Sequence, residues 1–127
     1  MIRRNLQSIL IHNKMRFLIH VLLIAVISAY AEWIWAWWMI AVVSFIVMGF
    51  TRTKPSESFL SGFLGVGLSW LCIALWRDNA NAHILSGRMA GVFGLPGYPW
   101  FIVVTVLIGA LVGGLSALTA SYARRIV

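Results

Sequence analysis

Residues 77–97, RDNANAHILSGRMAGVFGLPG, hold the densest run of side chains that could do chemistry: Arg77, Asp78, Asn79, Asn81, His83, Ser86 and Arg88. An imidazole titrates near neutral pH, so His83 could act as a general base with Asp78 or Ser86 beside it. The spacing opposes that use. No second carboxylate and no nucleophile motif stands at a diagnostic interval from His83, and such chemistry depends on the mutual placement of nucleophile, base and orienting group. A zinc-type centre needs three or four ligands, whereas this segment supplies one His and one Asp. Arg77, Asp78, Asn81, His83 and Arg88 are therefore read as a polar site that holds a loop or contacts an anion or a partner. No catalytic residue, metal or cofactor is expected. An enzyme built around His83 is the alternative.

Two further groups stand alone. Between Arg16 and Arg52 lie 35 residues in which only His20 and Glu32 carry a carboxyl or imidazole group. His20 is one helical turn past Arg16 and reads as a packed neutral imidazole, with a proton relay as the alternative. Glu32 sits in AYAEWIWAWW among Tyr30, Trp33, Trp35, Trp37 and Trp38. It reads as a solvated tip residue, or as a proton site if oligomerisation buries it. Cys72 has no partner cysteine and reads as a packing residue.

The elements that position these residues follow from composition. Of 127 residues 61% are hydrophobic and only 10% charged, where soluble domains run near half and a quarter. Lipid must cover that apolar surface. The formal charge of +7 comes from Lys and Arg at the flanks of apolar runs, the distribution of membrane-protein loops rather than of a nucleic-acid binder.

One helix over the 35 residues after Arg16 would reach roughly 50 Å, against about 30 Å of hydrocarbon, with Glu32 near its middle. Two helices with a turn between them fit better. The predicted spans are 16–31, 34–50, 58–76 and 99–122, with an outer loop at 77–97 carrying a short helix capped by Asn79 or Asn81. That arrangement puts Arg3, Arg4, Lys14, Arg16, Arg52, Lys54, Arg124 and Arg125 inside and only Arg77 and Arg88 outside, eight to two. A single crossing of 17–50 would give six to four, so the positive-inside rule favours the hairpin. Tyr30, Trp33, Trp35, Trp37, Trp38, Trp76 and Trp100 then form an interfacial belt. Residues 1–31 also read as a signal peptide with Ala29-Tyr30-Ala31 as cleavage site, but the long basic leader and the lack of a helix breaker oppose it.

The first 15 residues read as a separate amphipathic helix on the inner membrane face, with Ile2, Leu6, Ile9 and Leu10 at helical spacing. Small residues recur every fourth position as Ser61, Gly65 and Ser69 in the third span and Thr105, Gly109, Gly113, Ala117 and Ser121 in the fourth. Such ladders let helix backbones approach closely in lipid. They predict either a tight pairing of those two spans or a seam between copies.

The stretches ANAHILSGRMAGVFGLPG and IGALVGGLSALTASYARR resemble small four-span inner-membrane proteins of Bacteroidota-type bacteria, over roughly residues 80–125. No activity is assigned to that group, so the resemblance implies an architecture and no site residues. The expected fold is all-α integral membrane, four transmembrane helices with both termini cytoplasmic. The expected role is a non-catalytic accessory or assembly subunit whose partners are the bilayer and a membrane complex. The alternative is a small homo-oligomeric channel or transporter.

Overall fold

No glycine or proline interrupts residues 2–34, and they form one helix, α1 (Ile2–Ile34). The computed structural model describes all 127 residues, as five helices and no strand. The first 15 residues thus do not form a helix of their own: α1 runs without a break into the first apolar segment. Every residue from Met1 to Arg16 is exposed.

The helix ends at Trp35, and Trp35–Trp38 turn the chain into α2 (Met39–Gly49). At 11 residues, α2 rises only about 16 Å. The apolar run 34–50 is therefore not a full helical span. Its first residues form the turn, and the helix closes at Phe50, whose amide reaches back to Ile46. Lys54 precedes α3 (Pro55–Ala80), which opens with proline in its first turn, where the missing N–H costs nothing. The short α4 (Ile84–Val92) follows, and α5 (Tyr98–Ile126) again carries proline in its first turn.

α1, α3 and α5 are each long and apolar enough to cross a membrane. Leucines such as Leu22, Leu64, Leu107 and Leu111 lie exposed along them, the surface expected of a multi-pass protein whose solvent is lipid. α3 packs between α1 and α5, and α2 lies against α1 and α5. The α3–α5 contact is extensive and very close. A Cβ on Gly62 would collide with the Gly113 carbonyl, and one on Gly109 would stand 2.5 Å from the Trp70 ring. On its other side, α3 receives Ile24 of α1 against Gly65, where a Cβ would come within 2.7 Å. Ile24, Ile40, Met48, Val66, Ala117 and Ala120 form the buried core.

Two polar contacts tie α2 to α5. Ser116 donates to the Ala41 carbonyl at 2.5 Å. The Arg124 guanidinium donates to the carbonyls of Met48, in the last turn of α2, and of Thr53, in the link to α3, both at 3.1 Å. Arg16 and Arg52 line one pocket, so the chain between them runs out to the Trp35 turn and returns. The bundle thus has two polar ends, one at His83 and one at Arg52.

Candidate functional site

At the His83 end, α3 reverses into α4 through a turn that the backbone resists. Ala82 and His83 sit at φ 50 and 60, a left-handed region costing about 1–3 kcal/mol for a residue with a side chain. Asp78, in the last turn of α3, holds the reversal from both its backbone and its side chain. Its carbonyl accepts the amide of His83 at 3.0 Å and that of Asn81 at 3.2 Å. Its carboxylate pairs with His83 Nδ1 and accepts from the Ser86 hydroxyl.

The imidazole also stacks on Tyr98 at 4.2 Å, joining the turn to the start of α5. Neither Asn79 nor Asn81 caps α4. His83 occupies the N-cap position and α4 has no side-chain cap bond of its own, because Asp78, reaching over from the preceding helix, binds its first turn through Ser86. Asp78 is 8% exposed and stands beyond the apolar stretch of α3 that ends at Trp76. The hydrogen bond from Ser86, followed by that from His83, holds its carboxyl below the usual range against the opposing effect of burial.

Ser86, His83 and Asp78 are the residue types of a hydrolytic triad, arranged differently. In a triad the serine gives its proton to the imidazole and the carboxylate orients the far ring nitrogen. Here Ser86 donates to Asp78, so the carboxylate lies between the other two and the hydroxyl is not bonded to the imidazole. The arrangement suits a lock on the α3–α4 turn. No three His, Cys, Asp or Glu side chains gather at metal-binding distance.

Beside the lock runs a groove with Arg77 at its centre. One part is lined by Asp78, Asn81, Ser86 and Thr105, and the adjoining part by Glu32, Trp37 and Trp70, with Arg77 lining both. Glu32 and Arg77 face the same space without forming a salt bridge. Trp33 and Trp76 pack at 5.9 Å along the rim. Tyr30, Trp33, Trp35, Trp37, Trp38, Trp76 and Trp100 are all more than half exposed. Arg88 stays outside the cluster, exposed on α4. Of the small-residue ladders, Gly109 and Gly113 face α3 and Gly65 faces α1. Ala117 and Ser121 are buried in the bundle, as is Ser69. Thr105 instead lines the groove and donates to the Phe101 carbonyl at 2.9 Å.

The grouping of Glu32 and Thr105 with Arg77 has no local signal, since each comes from a different helix. No protein-family model matches the chain, and neither a curated protein nor a solved structure matches it.

Proposed function

We propose that this chain is a non-catalytic accessory subunit of a larger membrane assembly, with four crossings of a bacterial inner membrane and both termini in the cytoplasm. The eight-to-two division of Lys and Arg supports that orientation. The out-and-back path between Arg16 and Arg52 supports a second crossing made by α2 with its flanking coil. On this reading the chain belongs with the small four-span proteins of Bacteroidota-type bacteria that its C-terminal half resembles.

The observation that carries the proposal is the free beginning of α1. Its first three turns lie exposed, with Ile2, Leu6, Ile9, Leu10 and Ile11 among them. A helix of that length is marginal in water by itself, and a contiguous apolar patch marks an interaction surface. Because the helix continues a crossing segment without a break, it leads away from the bilayer, where lipid does not cover it. A protein partner does. The α3–α5 seam favours the same reading over assembly of identical copies, since Gly109 and Gly113 are filled by Trp70 and Val66 of the same chain.

Mild extraction from the native membrane followed by mass and composition analysis tests this. A stoichiometric foreign subunit is expected, released by Leu6→Glu combined with Leu10→Glu while the bundle melts as before. A lone monomer overturns the proposal. A homo-oligomer also overturns it and turns attention to a channel or transporter with the Glu32–Arg77 groove in contact with solute.

A further inference from the structure

At the end of the bundle opposite His83, a pocket opens between α1, the link into α3 and the first turns of α3. Arg16 and His20 enter it from α1, Arg52 and Lys54 from the link, and Glu57 and Ser61 from α3. Only one of its nine lining residues is apolar. Three permanent cations face a single carboxylate, and none of them is in a salt bridge, the molecule's one such pair being His83 with Asp78. A cluster of like charges around a concave space repels itself unless an anion joins it.

Two independent features point into the same space. Ser61 is 1% exposed and its hydroxyl has no hydrogen-bond partner. Of the six buried side-chain groups without a partner, Ser61 alone lines this pocket, where an oxoanion could accept from it. The N-terminus of α3 also opens here, with no side-chain cap on its free amides. The start of a long helix carries partial positive charge and favours oxoanions. The cavity, near 190 Å³, has room for several waters at about 30 Å³ each, and so for one tetrahedral oxoanion.

We propose that this pocket binds a phosphate-type oxoanion, clasped by Arg16, Arg52 and Lys54 with Ser61 donating a hydrogen bond. A phospholipid headgroup and free inorganic phosphate share that chemistry. The pocket lies where the Trp-free end of the bundle meets the charged flank of α1, the level at which an anionic headgroup would meet polybasic side chains.

The protein is placed in nanodiscs of phosphatidylcholine alone or with added phosphatidylglycerol, and retained lipid is counted by native mass spectrometry. In a second arm, inorganic phosphate is titrated onto the phosphatidylcholine sample and binding is followed by thermal shift. Each arm compares wild type with Arg52→Gln/Lys54→Gln and with Arg3→Gln/Arg4→Gln, which removes equal charge outside the pocket. All four side chains are exposed, so both variants should fold, and equal melting in phosphatidylcholine checks this. Expected is a loss of about tenfold or more in affinity for the pocket variant, as for removal of charge-assisted bonds, with the control near wild type. Dependence in the phosphatidylglycerol arm identifies a lipid headgroup, and dependence in the phosphate arm a soluble oxoanion. Equal losses in the two variants, or no binding in either arm, would overturn the proposal.

Discussion

At the His83 end of the bundle, the Asp78 carboxylate is engaged by Ser86 and His83, and the turn it holds is strained at Ala82 and His83. At the Arg52 end, Arg16, Arg52 and Lys54 share a pocket with one carboxylate and no salt bridge. Both ends are polar caps on the same three long helices. In the first, the Asp78 carboxylate spends its hydrogen bonds on the turn that it holds. The second leaves charge and a buried hydroxyl unmatched, which is the condition of a surface that meets something from outside. Polar composition alone does not separate the two cases; the partner of each group does.

The most severe way to break this comparison is to separate the helices that hold the ends in place. Gly113→Ile forces a branched side chain against Val66 and the Gly62 carbonyl, and should destabilise the protein by about 3 kcal/mol. Denaturation in detergent and folding yield would register it, with the molecular size of the folded protein unchanged. An unaltered midpoint would mean that α3 and α5 are not in contact there.

A more local break is Asp78→Ala, which leaves the left-handed turn without its anchor. Deuterium uptake in residues 81–93 should rise about tenfold while peptides around Arg52 and Lys54 keep wild-type protection. Uniform change at both ends would show that the lock is not local. Acidification should reproduce this effect more weakly. The Asp78 carboxyl titrates lower when folded than unfolded, so its stabilisation is complete above the ordinary aspartate value of about 4 and is lost as pH falls through the lower folded value. Uptake in 81–93 should therefore rise only below about pH 4. Asp78→Asn should flatten that dependence; a persistent step would assign it to another group.

The smallest perturbation sharpens the comparison without altering stability. Cysteines introduced singly at Asn81 and Ser56, both exposed, should react with an impermeant reagent from opposite sides of the membrane, Asn81 from outside. Labelling of both from one side would put the two ends in the same compartment and end the four-crossing topology.

Much of the helical frame is legible in the apolar runs and their punctuation. Pro55 and Pro99 mark the openings of α3 and α5 because proline lacks only an amide that a first turn does not use. The segment 77–97 is legible as a polar cluster with a short helix, and His83, Asp78 and Ser86 are the residues that meet there. The extent of α2 is not legible: hydrophobicity over 34–50 reads the same whether Trp35–Trp38 continue a helix or turn. The continuity of α1 is not legible either: the first 15 residues read as a separate surface helix, yet a basic amphipathic stretch can equally extend a crossing helix. Asparagine was the better cap by type, yet Asp78 reaches the first turn of α4 from the helix before it, a geometry that no local spacing encodes.

By itself the sequence determines that this protein lives in lipid, where α3 and α5 open, and which residues are small enough for backbones to touch. Those properties depend on transfer energies and on the shape of single residues, which are local. Only the tertiary structure decided what faces what. It placed Glu32 beside Arg77, set Asp78 between Ser86 and His83, and left Ser61 unpartnered under Arg52 and Lys54. Which polar groups find a partner depends on helix rotation and crossing, and these are fixed by the packing of Gly62, Gly65, Gly109 and Gly113 against their neighbours.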